Sequence, residues 1–234
     1  MKNLIMNKNL ILFLDAATPI FYIAVKDIET GRIIEKKYNN TEIRGEALLH
    51  FVQELFRVHG YDVRAIKYLC TTQGPGSLTG LRICMSVLKT LAQILSTPIV
   101  CLPTLKAFES SYLTKQSTEK GPILTALIAR RDHYYLKRSN EQETCFETVT
   151  REQLERQLEE HQICLWSKNS PLPQLCDNQR DKFVIVELEC KSIFDLCAVK
   201  YAAGDLQDYK SCFPEYSGKS VAEKRFDEKN KPKL

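Results

Sequence analysis

Between a short apolar segment at 66–70 and a helically spaced run that begins at Leu81, the chain carries TTQGPGSLTGLR, residues 71–82. Leu81, Cys84, Met85, Leu88, Ala92 and Leu95 recur at helical spacing, so the local reading is strand, tight loop, helix. A helix N-terminus reached through glycines presents unpaired backbone N–H groups and the positive end of the dipole, which suits an anion. The known phosphate motifs do not fit. A Walker loop needs Lys and then Ser or Thr after its last glycine, and Gly80 is followed by Leu81 and Arg82. The dinucleotide fingerprint, counted from Gly74, has Gly76 in place but Thr79 where its third glycine belongs. The alternative is architectural: Gly74 and Gly76 shape a tight turn, Ser77 caps the helix, and Gly80 lets the helix approach a neighbour.

Around this loop the pattern alternates strand and helix. Residues 10–25 and 32–38 read as strands, joined through Asp27-Ile28-Glu29-Thr30-Gly31. A helix is predicted over 45–59, then the strand at 66–72, a helix reaching 95 and a strand at 99–102, which together argue for the α/β class. Both helices have apolar arcs wider than the ~100° that a surface helix needs. In the second, the arc runs from Ile83, Val87 and Ile94 through Leu91, Cys84 and Leu81 to Met85. Each helix therefore packs on more than one surface, either the sheet and its companion or, in addition, a partner chain.

The second half is predicted as a hairpin (123–129 and 133–139 around Arg130-Arg131-Asp132), a polar helix over 151–161, strands at 163–166 and 183–186, and a helix over 191–203. These divide the chain into a first lobe, 1–110, a smaller second lobe, 111–213, and a Lys- and Glu-rich tail, 214–234. No internal repeat is evident.

Charge restricts function little: the formal net charge of +4 is a mild basic excess. The apolar run 9–14 is interrupted by Asp15 and lacks a cleavage signal, so a cytoplasmic protein without a membrane span is expected. The nine cysteines form no C-x-x-C pair and the four histidines no H-x-x-x-H or H-E-x-x-H pair, so no metal site is expected.

Three pieces together, Leu12-Phe13-Leu14-Asp15-Ala16-Ala17-Thr18-Pro19, the string GPGSLTGLR at 74–82, and Pro98-Ile99-Val100 leading to Leu105-Lys106-Ala107, resemble the TsaB (YeaZ) family. The resemblance is continuous over residues 10–110, with a weaker echo at 126–131 and 214–216. It implies an actin-like ATPase (ASKHA) fold of two lobes with the second reduced, and a role in forming N6-threonylcarbamoyladenosine at position 37 of ANN-decoding tRNAs. By the same resemblance the chain is an accessory subunit without catalytic residues. A TsaD-like transferase binds its helix pair and a TsaE-like ATPase joins the complex. ATP and metal belong to those partners, tRNA is met only through the complex, and a homodimer through the same helices is the alternative assembly.

The interface residues expected on this reading are Leu48, Phe51, Val52 and Leu55 of the first helix with Leu81, Cys84, Met85 and Leu88 of the second. Asp15, Thr18, Gly74, Gly76 and Ser77 are the candidates for nucleotide contact. The family usually has Asp-Thr-Ser-Thr in the opening loop; Ala16 and Ala17 here remove hydroxyls that an actin-like phosphate loop uses. Two other classes compete. One is an independent actin-like-fold enzyme (kinase, acyltransferase or peptidase) with Asp15 as base, although no G-x-S-x-G string is present. The other is direct RNA binding through Arg130, Arg131, Lys137 and Arg138 with Tyr134 and Tyr135.

Overall fold

The computed structural model describes residues 7–39, 47–116, 122–142, 144–161, 163–174 and 177–215. Two five-stranded mixed sheets are built on one plan. In the first, β1 (Leu10–Asp15), β2 (Ile20–Asp27) and β3 (Ile33–Asn39) form an antiparallel meander. β4 (Ile66–Gly74) then returns parallel to β1, and β5 (Ile99–Pro103) parallel to β4, giving the order β3-β2-β1-β4-β5. In the second, β6 (Ile123–Arg130), β7 (His133–Arg138) and β8 (Glu147–Thr150) repeat the meander. β9 (Ile163–Ser167) and β10 (Phe183–Val186) repeat the parallel pair, and the order is β10-β9-β6-β7-β8. One sheet plan occurs twice, without a repeat legible in the sequence, and together the two make the two-lobed actin-like architecture.

The helices are α1 (Leu48–His59), α2 (Leu78–Leu95), α3 (Thr104–Leu113), α4 (Arg151–Glu160), α5 (Asp177–Arg180) and α6 (Cys190–Ala202). The lobes differ most at one crossover. β4 and β5 are joined by the 18-residue α2, whereas β9 and β10 are joined through the 4-residue α5. The second lobe is reduced at that point.

Alternation along the strands builds three apolar layers. On β1, Leu10, Leu12 and Leu14 pack with α1 and α2, while Ile11 and Phe13 point to the other face. That other face meets α3, α6 and Leu165 and Val186 of the second sheet in a single cluster. Tyr134, Leu136, Cys164 and Trp166 turn outward under Leu154 and Leu158 of α4. β1 is buried along its whole length, because both of its faces are covered.

The structure modifies several sequence readings. The run 10–25 is two strands, since Ala16-Ala17-Thr18-Pro19 makes a turn inside it. α3 and β8 were not anticipated; Leu105, Phe108 and Tyr112 carry the helical spacing that marks α3. α6 and the segment 205–213, assigned by sequence to the second lobe, lie against the first sheet with residues 214–215 of the expected tail: Gln207 bridges Ile99 on β5, and Glu215 N–H donates to the Gln73 carbonyl at 2.6 Å. Most of the expected tail, 216–234, lies outside the described residues, as does the start predicted for the first helix.

α2 is long and apolar enough to cross a membrane by length and composition alone. Here it connects β4 to β5 and buries Leu81 together with Cys84, Met85, Leu88 and Ala92, the last four in the cluster that holds Leu10, Leu12 and Leu14 of β1, as a core helix does.

Candidate functional site

The glycine loop closes directly onto the turn that follows β1. Ser77 N–H donates to the Ala17 carbonyl at 2.7 Å, and Ala17 N–H donates to Asp15 Oδ2 at 3.2 Å. Each glycine has a reason in this packing. A Cβ on Gly76 would stand 2.5 Å from the Ala17 carbonyl oxygen, and one on Gly80 would overlap the Ala16 carbonyl. Gly74 has φ +126°, and a Cβ there would lie 2.5 Å from the Glu215 carbonyl oxygen. Its N–H donates to Thr104 Oγ1 at 3.1 Å. Ser77 caps α2 by accepting from Gly80 N–H at 3.2 Å, as its position suggested.

Asp15 and Thr18 are buried beside this loop. Thr72 Oγ1 donates to Asp15 Oδ1, and together with the Ala17 N–H this occupies both carboxylate oxygens. Loss of water dominates the electrostatics: burial raises the Asp15 pKa to about 6, against the opposing hydrogen bonds from Thr72 and Ala17. The five candidates for nucleotide contact are thus neighbours, but the space a phosphate would take at Gly74, Gly76 and Gly80 is filled by backbone of Glu215, Ala17 and Ala16. Among the described residues no group of three or more His, Cys, Asp or Glu side chains is arranged to hold a metal.

The interface residues expected on the helix pair need correction. Leu48, Val52, Leu55, Leu81, Cys84, Met85 and Leu88 are all buried in the chain's own core, and only Phe51 is partly exposed, its ring 4.7 Å from that of Tyr38. The arc of α2 is wide because its two edges serve different surroundings. Leu81, Cys84, Met85 and Leu88 face the sheet, while Ile83, Val87 and Leu91 are half-buried and Ile94 is 73% exposed. At 100° per residue, Ile83, Val87, Leu91 and Ile94 fall within ~80° of one another. On α1, Phe51 and Val58, seven positions apart, share one side, and Val58 is 59% exposed. Leu49 and Leu78 are exposed elsewhere on the two helices. The apolar side chains that remain accessible are therefore Phe51 and Val58 on α1 and Ile83, Val87, Leu91 and Ile94 on α2, with Phe51 the one residue that also belongs to the expected interface set.

The RNA-binding cluster does not assemble. Lys137 is buried, 3.6 Å from Glu109, and Arg138 is held by Glu141 at 2.9 Å, Glu147 at 2.7 Å and Gln157 at 3.1 Å. Tyr134 is packed beside Trp166 and Tyr135 against Phe146, so neither ring is a free stacking platform. Only Arg130 and Arg131 of the set are exposed.

Sequence comparison decides the family. The model of TsaD, tRNA N6-adenosine threonylcarbamoyltransferase, matches residues 44–165, just over half of the chain. The chain belongs to that family. Its fold is that of YeaZ: the structure of YeaZ from Pseudomonas aeruginosa superposes with a TM-score of 0.66 at 18% identity, covering 89% of this chain and 100% of that one. A second crystal structure, of an uncharacterized protein with similarity to peptidase YeaZ from Pseudomonas aeruginosa, gives 0.67 at 19% identity, covering 89% and 99%. No curated protein matches the sequence. The TsaB (YeaZ) resemblance carried by residues 12–19 and 74–82 is upheld by this family match and shared fold, which place the chain in a tRNA-modification family.

Proposed function

We propose that this chain is the non-catalytic subunit that binds and activates a TsaD-like transferase in forming N6-threonylcarbamoyladenosine at position 37 of ANN-decoding tRNAs. The observation that carries the reading is the set of accessible apolar side chains, Phe51 and Val58 on α1 and Ile83, Val87, Leu91 and Ile94 on α2, on two helices whose other sides are already committed to the core. An apolar strip of this kind, rimmed by His50, Glu54, Arg82, Ser86 and Thr90, has the composition of a partner surface. The occupied glycine loop supports the same division of labour: ATP and metal reside on the transferase and on a TsaE-like ATPase, and tRNA meets the assembly rather than this chain alone. A homodimer would use the same strip and so compete with the transferase. The site of action is the cytoplasm.

Mixing the purified chain with the TsaD-like protein of the same cell, followed by size-exclusion chromatography and a modification assay on an ANN-decoding tRNA, tests this directly. Complex formation and a gain in modification are expected; two separate peaks and no gain would sink the reading.

A second reading, an independent actin-like-fold enzyme, is favoured by one observation: a buried carboxyl with a pKa raised to about 6 is the kind of group that serves as an acid or base. It predicts phosphate release from ATP by the isolated chain that disappears in Asp15→Ala. We expect no such release, since Ala16, Ala17 and Glu215 fill the places phosphates would need.

A further inference from the structure

After α6 the chain continues along the first sheet as a strap, 205–215, and two thiols meet beneath it. Cys101 Sγ, on the edge strand β5, lies 3.6 Å from Cys212 Sγ on the strap, and both residues are buried. We propose that Cys101 and Cys212 are a reversible disulfide site that covalently latches the strap to β5 under oxidising conditions.

Geometry, charge and topology each contribute. Closing from 3.6 Å to the ~2.05 Å of a disulfide asks for roughly 1.5 Å of approach, within the reach of a strap segment outside any helix or strand. Besides the thiol contact, Gln207 and Ile99 exchange two backbone bonds of 2.8 Å, Cys101 Sγ donates to Gln207 Oε1 at 3.5 Å, Glu215 bonds Gln73 through its N–H at 2.6 Å and its carboxylate at 3.1 Å, and Tyr209 packs against the core cluster that holds Cys212. Local opening of this segment, which carries no helix or strand, is the step that would admit a small reagent. The two thiols are not equivalent. The contact with Cys101 and, to a lesser degree, the Lys89 ammonium hold the Cys212 thiol below its ordinary pKa, whereas Cys101 is pushed up by the same contact and by burial. Lys89 is positioned for this role over the ring of Phe213, 4.0 Å from its centroid. The Lys89 ammonium over the neighbouring Phe213 ring accordingly assigns Cys212 as the nucleophile and Cys101 as the resolving thiol.

The chemistry balances with a low-molecular-weight disulfide as oxidant. The Cys212 thiolate attacks one of its sulfurs, forming a mixed disulfide and releasing one small thiolate. Cys101 then attacks Cys212 Sγ, forming the Cys101–Cys212 bond. The second small thiol departs with the Cys101 proton, so the protein loses two electrons and the reagent gains them. Because the strap ends against the glycine loop, with the Glu215 carbonyl where a Gly74 side chain would be, the bond also holds that loop covered.

The test treats the full chain with oxidised glutathione, digests it without reduction and maps linked peptides by mass spectrometry, with amide hydrogen exchange measured before and after. We expect a Cys101–Cys212 peptide as the principal crosslink, reversed by dithiothreitol. Exchange over 205–215 should slow at least tenfold, and melting should shift upward by about 5 °C. In Cys101→Ala, glutathione should remain on Cys212 as a mixed disulfide. Glutathione on the exposed Cys145 with Cys101 and Cys212 still free would overturn the proposal. So would a crosslink that leaves exchange in the strap unchanged. The wild-type mapping stands whether or not the alanine variant folds.

Discussion

At residue scale, the glycine loop is explained by close approach more than by backbone angle. Only Gly74 has positive φ; Gly76 and Gly80 are required because the Ala16 and Ala17 carbonyls occupy the volume a side chain would take. Val at position 76, or Ala at position 80, must push the α2 N-terminus off the β1–β2 turn and break the Ser77 to Ala17 bond. Each should destabilise the chain by about 3 kcal/mol, the upper part of the range for overpacking, because the colliding atoms are backbone. Denaturant unfolding of Gly76→Val and Gly80→Ala would measure this, and a well-folded variant with selectively lost nucleotide affinity would restore the phosphate-cradle reading. Asp15 supplies a pH signature. Its native pKa of about 6 lies above the ordinary carboxylate value of 3.8, so the folded state holds this proton more tightly than the unfolded chain. Its contribution is fully present below about pH 4 and is lost as pH rises through 6. At ~1.4 kcal/mol per pH unit, the stability difference between wild type and Asp15→Asn should change by roughly 3 kcal/mol across that window and level off above it. A pH-independent difference would show that Asp15 titrates normally.

At the scale of elements, α1 and α2 divide their apolar residues between the core and an accessible edge, and this separates two classes of substitution. Met85 is 2% exposed within the core, so Met85→Glu buries an unpaired charge and should unfold the chain or lower its melting temperature sharply. Ile94 is 73% exposed, so the same change there leaves a charge in water. Ile94→Glu and Val58→Glu should melt within ~0.5 kcal/mol of wild type yet lose a hundredfold or more in affinity for the TsaD-like partner, the loss usual for an interface anchor. Circular dichroism and titration calorimetry on the three variants would check both halves. Full modification activity in every soluble variant would remove the strip from the interface.

At the scale of the whole molecule, one apolar cluster runs from β1 and β2 through α3 and α6 to β9 and β10, so the lobes share a core. Phe194 of α6 is fully buried in it, edge-on to Phe13 at 6.4 Å between centroids. Phe194→Ala should cost about 3–5 kcal/mol and destabilise both lobes together. The single tryptophan, Trp166, lies in the second sheet. Its fluorescence should therefore follow the same denaturation curve as far-UV circular dichroism, in wild type and variant alike. Separate transitions would mean that the lobes unfold independently.

What the sequence determined on its own was local. Strand, tight loop and helix around residues 71–82, the Ser77 cap, the hairpin at 123–139 and the α/β alternation all rest on short-range pattern, turn chemistry and period, which neighbouring residues carry among themselves. The family, too, was legible in a contiguous string, 74–82. Tertiary structure alone decided which flank of each helix is covered. Burial depends on what packs across the gap, so Leu81 and Ile94 lie on one apolar arc yet end in opposite environments. It also revealed that the two lobes repeat one topology, because strand order survives when side chains no longer match, and that the chain's return after α6 brings Cys212 to Cys101 and Glu215 to Gly74. Contacts between residues more than a hundred positions apart have no period to read.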